Sequence, residues 1–225
     1  MFTGIVQQLG EVAAVTPCDS GKTLHIDPCG WETQPRQGDS VAVNGCCLTV
    51  TRCDGGEKGT DLFSGSRKIN LSPLRLLRFD VIHQTLQTTA LGGLSVGDPV
   101  NLEPAVTAAT LMSGHLVQGH VDGVGRVRTV STETGEHLVR IEPPAALMEC
   151  VVDKGSIAVD GVSLTVVSCG DTWFEVALIP TTIEQTNLGG LRESRQVNIE
   201  VDYVAKIVVS WLRKRGQIYF PAAGK

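Results

Sequence analysis

The chain has 225 residues, enough for one large or two ordinary domains with buried cores. Apolar residues make up 42% and charged residues 19%, a globular balance, and the formal net charge of −5 argues against a protein held to nucleic acid by neutralising phosphates. No run of about 18 apolar residues occurs, which excludes a membrane-spanning helix. The opening MFTGIVQQLGEV lacks the basic lead and apolar core of a signal peptide. The seven cysteines (18, 29, 46, 47, 53, 150 and 169) are odd in number and lack C-x-x-C spacing. A reduced cytoplasmic protein with free thiols and no metal site is therefore expected.

The first strand candidate is TGIVQQLGEV, from Thr3, and it returns as QGHVDGVGRV from Gln118. Gly4 aligns with Gly119, Ile5 with His120, and Val6 with Val121. A variable linker leads to VAVNGCCLTV (Val41 to Val50), written again as IAVDGVSLTV (Ile157 to Val166). In each copy an apolar strand meets Asn-Gly or Asp-Gly, the pairs that tolerate the positive φ angles of a two-residue hairpin. Alternate strand residues share a face. Cys47 and Thr49 thus point one way while Cys46, Leu48 and Val50 point the other, and Ser163 and Thr165 oppose Val162, Leu164 and Val166. A short polar pair in the same register of both hairpins predicts two similar binding surfaces.

Further strands are expected at Phe79 to Ile82 and Phe174 to Ile179, followed by short helices at His83 to Thr89 and Thr181 to Asn187. Each helix runs into Leu-Gly-Gly, a plausible stop. The offset between copies is 116 residues at Thr49/Thr165 and 97 at Glu103/Glu200, so the first copy carries 19 extra residues. They fall in an insertion at about 53–78, read as a surface excursion. Short strands with Gly-rich turns point to a small barrel or sandwich per copy. The expected division is 1–103, 104–202 and a tail at 203–225. In that tail Val204 to Arg215 reads as a helix with Val204, Ile207, Val208 and Trp211 on one stripe. The stripe either covers a barrel or makes an oligomer contact.

His115 and His120 are five residues apart in a segment read as strand, which places them on opposite faces and disfavours a shared metal. His120 stands out because the other copy has apolar Ile5 in its place. A lone histidine is more often structural, and composition and spacing alone stop at a duplicated β-protein with two polar-lined pockets.

MFTGIV, NGCCLTV at Asn44, GHLVQGHVDG at Gly114, DGVSLTV at Asp160, IPTTIEQTNLG at Ile179 and VNIEVD together resemble riboflavin synthase of the α-chain type. The resemblance covers both copies and the tail. It implies an all-β chain of two tandem six-stranded Greek-key β-barrels plus a C-terminal α-helix that gathers three chains into a homotrimer. It implies the last step of riboflavin biosynthesis, in which two molecules of 6,7-dimethyl-8-(1-D-ribityl)lumazine exchange a four-carbon unit. The products are riboflavin and 5-amino-6-(D-ribitylamino)uracil, and no metal or redox cofactor is required. Lumazine synthase stays open as a protein partner.

By matching positions, the resemblance assigns an N-barrel pocket of Gly4, Ile5, Val6, Cys47, Leu48, Thr49, Asp80, Val81, Ile82, His83, Gln84 and Thr85. The C-barrel pocket would comprise Gly119, His120, Val121, Lys154, Ser163, Leu164, Thr165, Ile179, Pro180, Thr181, Thr182, Ile183 and Glu184. The active site would be a sandwich of one subunit's N-barrel with its neighbour's C-barrel. His120 would serve as base or proton relay, Ser163 and Thr165 would orient the exomethylene anion, and Cys47 and Thr49 would act on the other substrate. Asp202 would hold a ribityl chain or a water. Thr181 departs from a frequent Glu, and His83-Gln84 from a common Lys-Glu. The non-catalytic alternative is a lumazine- or flavin-binding antenna protein of the same fold, which loss of polar residues from one pocket would favour; here both polar pairs are present.

Overall fold

The computed structural model describes residues 1–54, 76–133 and 135–216. Of the expected excursion, Cys53 and Asp54 end one strand and residues 76–78 open the next; the rest lies outside the described residues. Six antiparallel strands, β1 (Gln8–Cys18), β2 (Gly21–Asp27), β3 (Ser40–Val43), β4 (Cys46–Asp54), β5 (Leu76–Ile82) and β6 (Pro99–Pro104), close a barrel in the order β1-β2-β5-β4-β3-β6. The second copy repeats this with β7 (Gly123–Ser131), β8 (His137–Glu142), β9 (Ser156–Val159), β10 (Val162–Cys169), β11 (Phe174–Leu178) and β12 (Gln196–Val201). The order 1-2-5-4-3-6 is the expected Greek key, and closure leaves no free sheet edge. Even the register irregularities repeat, at Val12/Ala14 and Val127/Thr129, and at Val50/Arg52 and Val166/Ser168.

Each barrel fills itself with alternate strand residues. Leu24, Ile26, Val50 and Phe79 are fully buried in the first, and Val139, Ile141, Val166 and Phe174 in the second. Short helices α1 (His83–Thr88) and α2 (Pro180–Gln185) follow β5 and β11, and the Leu-Gly-Gly stops lie in 3-10 turns.

The two hairpin turns meet at the centre of the molecule. Asn44 (φ 45°) and Gly45 (φ 76°) mirror Asp160 (φ 45°) and Gly161 (φ 80°), the left-handed pair expected of these turns. A Cβ on Gly45 would sit 2.6 Å from the Gly161 nitrogen, so close approach as well as φ requires glycine here. Five side chains tie the barrels together around this point. Asn101 Nδ2 donates to the Asp160 carbonyl (2.9 Å), Asn198 Nδ2 to the Asn44 carbonyl (2.7 Å), and Asn187 Nδ2 to Asn44 Oδ1 (3.2 Å) and Asp160 Oδ2 (3.1 Å). Burial pushes the Asp160 carboxyl up to about 6, against the donors that favour its charge.

Two expectations about the connecting segments fail. Residues 3–7, expected to open the first strand, and 113–122, from the segment SGHLVQGHVDG read as strand, are irregular, like 105–112 before them; Phe2 and Val117 share an isolated bridge. Their backbone groups bond the glutamates of β6 and β12, the opposite barrel's hairpin, and one another, while Gln7 N donates to Leu102 O and Asp122 N to Ile199 O on their own barrel's last strand.

The tail forms α3 (Tyr203–Lys214), one residue earlier at each end than expected. Asp202 caps it, Oδ1 accepting from Val204 N at 2.7 Å, and ion pairs Lys206–Asp122 and Arg213–Glu149 anchor it to the second barrel. Its apolar stripe does not cover a barrel. Val204, Ile207, Val208 and Trp211 remain 48–63% exposed.

Candidate active site

The site is organised by two straps, residues 3–6 and 118–121, that cross from one barrel to the other. Buried Glu103, on β6, accepts from Thr3 N (2.6 Å), Thr3 Oγ1 (2.8 Å) and Gly4 N (3.0 Å). Buried Glu200, on β12, accepts from Gln118 N (2.6 Å), Gly119 N (2.9 Å) and His120 N (3.0 Å). Burial raises both carboxyls while these donors favour the charged form. Held in this way, the Gly4 carbonyl accepts from Ser163 N of the C-barrel (2.7 Å), and the Gly119 carbonyl from Cys47 N of the N-barrel (2.8 Å). Both glycines lie at positive φ (75° and 80°), and a Cβ on either would stand 2.6 Å from the Cβ of the residue it covers.

This crossing corrects the expected grouping. Gly4, Ile5 and Val6 belong with the Ser163 hairpin, and Gly119, His120 and Val121 with the Cys47 hairpin. Val6 packs against the C-barrel core and Val121 against the N-barrel core. The cause is that each anchoring glutamate stands at the boundary of the two barrels, so a strap tethered to its own barrel lays its carbonyl on the other.

Around each hairpin the structure gathers a matching set. Cys47 and Ser163 are half-buried and Thr49 and Thr165 exposed, on the face opposite the core. Ile82 and Ile179, equivalent residues at the ends of β5 and β11, are 51% and 62% exposed beside the first turns of α1 and α2. His83, Gln84, Pro180, Thr181 and Glu184 are exposed there, while Thr85, Thr182 and Ile183 are partly buried. Leu48 and Val81 point into the core, and Leu164 packs against it, so these three can contribute backbone to a pocket but little side chain. Asp80 turns its carboxylate outward to accept from Thr23 Oγ1 (2.7 Å). Lys154 adopts φ 62° where its counterpart is Gly38 (φ 93°), and its N–H donates to Val166 O, next to Thr165. Such a conformation is uncommon for a residue with a side chain and marks a position worth testing.

The two sets differ in one respect. His115 Nδ1 lies 2.7 Å from Ser163 Oγ, with its backbone N–H bound to Thr3 O (3.1 Å). Burial holds the imidazole below the usual histidine range, opposed by the Asp202 carboxylate, and its Nε2 is buried without a partner. At neutral pH it is therefore an uncharged base in contact with a hydroxyl. Among the described residues no histidine hydrogen-bonds Cys47. His120, expected beside Ser163, is exposed on the strap that covers Cys47. Asp202, expected to hold substrate or water, caps α3 with one oxygen and biases His115 electrostatically. The strand reading of SGHLVQGHVDG (113–123) hid His115 by placing it opposite His120. The parallel pairs Gly114-His115 and Gly119-His120 were the available signal. Beside them, the Cys46 thiol is pushed up to about 12 by burial and is a core group.

A family model described as a lumazine binding domain matches residues 3–105 and 118–202, so each match begins at a strap and ends after the barrel's last strand. The chain is 42% identical over 221 residues to riboflavin synthase of Mycobacterium tuberculosis (strain ATCC 25618 / H37Rv), covering 96% of this chain and all of that protein. With riboflavin synthase of Bacillus subtilis (strain 168) it shares 32% over 217 residues, covering 96% and 92%. The chain belongs to the riboflavin synthase family. Among solved structures, LumP complexed with riboflavin is similar at a TM-score of 0.75 and 28% identity, covering 89% of this chain and 99% of that one. Two copies of a lumazine-binding unit agree with the two strapped hairpins, and within the riboflavin synthase family frame the His115–Ser163 contact is the group with evident proton-transfer chemistry.

Proposed function

We propose that this chain converts two molecules of 6,7-dimethyl-8-(1-D-ribityl)lumazine into riboflavin and 5-amino-6-(D-ribitylamino)uracil. The observation that carries the reading is a pair of like sites of which one is armed with a hydroxyl–imidazole pair. Two copies of one substrate call for two like pockets, and their unequal fates call for unequal chemistry. The exposed Ile82 and Ile179 offer each flat heterocycle an apolar face, and the backbone of the straps and of the first turns of α1 and α2 offers hydrogen bonds to its edge.

In this reading Ser163 and neutral His115 act on the lumazine of the C-barrel site. The imidazole accepts, through Ser163 Oγ, the proton lost from the acidic C7 methyl, and Thr165 and Lys154 orient the resulting anion. The second lumazine sits over Cys47 and Thr49 with His120 beside it, and its C7 receives the new bond. General base catalysis of this kind contributes on the order of 10²–10⁴ in rate. The exposed stripe of α3 supports a homotrimer in which one subunit's N-barrel site faces a neighbour's C-barrel site, which would bring the reacting carbons together. All seven cysteines are free thiols, which favours a reducing, cytoplasmic setting.

The test is to incubate the protein with 6,7-dimethyl-8-ribityllumazine alone while following riboflavin absorbance and oligomer mass. One riboflavin per two lumazines consumed, from a trimer, is expected. Tight binding without riboflavin would instead mean an antenna or carrier.

A further inference from the structure

Away from both hairpin faces, a cleft of about 370 Å³ opens between the barrels beside β7 and β12. Arg126, Arg192 and Arg195 of the second barrel and Ala90 and Leu94 of the first line it, with two carboxylates among the lining residues, Glu193 exposed and Asp160 buried. No ion pair engages any of the three guanidinium groups among the described residues.

The duplication supplies an internal control. In the second barrel Arg126 stands opposite Gln196 across β7 and β12; in the first, Glu11 stands opposite Pro99 across β1 and β6. The turn before β12 reads Arg192-Glu193-Ser194-Arg195 where the turn before β6 reads Ser95-Val96-Gly97-Asp98. The same place in the fold therefore carries two negative charges in one copy and a net two positive charges in the other. The turn itself does not need the arginines. Both copies close it with the same backbone bond, Asp98 N to Ser95 O and Arg195 N to Arg192 O (3.1 Å each), and only the first adds a side-chain bond, Asp98 Oδ2 accepting from Ser95 N (2.8 Å). In an acidic chain, three arginines line a cleft of small-molecule size; Arg195 also favours the charge of the buried Asp160 carboxyl, while no ion pair holds Arg126 or Arg192 among the described residues.

We propose that this cleft binds a small organic phosphate monoester. The planar, multidentate donors of Arg126, Arg192 and Arg195 take the dianion, and the organic part lies against Ala90 and Leu94. The site is separate from the hairpin faces, so occupancy leaves the lumazine pockets open.

Calorimetric titration of the full chain with adenosine 5′-monophosphate, with adenosine and inorganic phosphate as controls, tests this. One saturable site per chain is expected for the nucleotide, weakened by added salt and competed by phosphate, with adenosine inert. Arg126→Gln/Arg192→Gln/Arg195→Gln should weaken binding at least tenfold, and exposed Arg192→Gln alone, which threatens no fold, severalfold. Glu11→Gln/Asp98→Asn, at the mirror position, should leave it unchanged. Lumazine conversion should be the same in every variant. No saturable binding, binding indifferent to the arginines, or displacement of the nucleotide by lumazine would overturn the proposal.

Discussion

The two hairpin sites share one scaffold, yet among the described residues an imidazole hydrogen-bonds the polar pair in one and not in the other. Both have the turn, the strap carbonyl on the first residue of the polar pair, a three-donor glutamate behind the strap and an exposed isoleucine at the rim. Among the described residues, Ser163 has an imidazole at hydrogen-bond distance and Cys47 does not, and Asp202, the cap of a helix outside both repeats, opposes the burial that lowers that imidazole. In the proposed reading, duplication produced two places to hold the same molecule, and His115, on the segment between the barrels, made them chemically unequal. A reaction between two identical substrates needs that inequality, because one must lose a proton and the other must accept a carbon.

The largest effect should come from erasing the difference. Ser163→Ala should lower riboflavin formation by about 10²–10⁴ while lumazine still binds. The wild-type rate should also fall on acidification, as the depressed His115 finally takes a proton, and His115→Gln should flatten that limb. Cys47→Ser, on the site where no histidine hydrogen-bonds the polar pair among the described residues, should stay within about tenfold of wild type.

Next in size is the shared scaffold. Gly4→Ala and Gly119→Ala each push a Cβ into the covered residue at 2.6 Å and force a left-handed backbone. Each should cost roughly 1–3 kcal/mol, a fall of several degrees in melting temperature. Equal losses from the two would sharpen the view that the straps are equivalent and only the chemistry differs. Glu200→Gln, which replaces an acceptor of three backbone N–H groups, should cost about 1–3 kcal/mol and displace His120 from the N-barrel site.

A smaller effect probes the seam. Asp160 and its counterpart Asn44 occupy equivalent turns, but burial lifts the Asp160 carboxyl to about 6. Its contribution is full below the ordinary carboxylate value of 3.8 and is lost as pH rises through about 6, because the folded state then holds a buried charge. Asp160→Asn keeps the acceptor for Asn198 N and removes that loss. The variant should therefore gain on wild type as pH rises, by an amount on the order of 3 kcal/mol or less across the window from about 4 to about 7. Denaturant melts at the two pH values would show it; a constant gap would mean that Asp160 does not titrate there.

Much of this architecture was written plainly in the chain. Asn44-Gly45 and Asp160-Gly161 declare their turns because few residue pairs accept two successive positive φ angles. The alternation around Cys47 and Ser163 declares which side faces the core. The fit of repeat to repeat reveals two barrels, and the stripe at Val204, Ile207, Val208 and Trp211 announces a helix. The straps were not legible, since Thr3–Val6 and Gln118–Val121 carry strand-like residues whose carboxylate partners, Glu103 and Glu200, lie 100 and 82 positions further along the chain. Nothing local signals that Gly4 will lie on Ser163 rather than on Cys47. His115 was lost for the same reason. Its role depends on a strap crossing, which is a tertiary fact, whereas periodicity assigned it to the wrong side of a strand that does not form.

The most direct test is a double-mutant cycle on single-turnover riboflavin formation with His115→Ala, Ser163→Ala and the pair, lumazine affinity being measured alongside. If the two residues act as one proton-transfer unit, each single variant should lose about 10²–10⁴ and the double variant little more. Full turnover in either single variant, or losses that multiply in the double, would contradict the account.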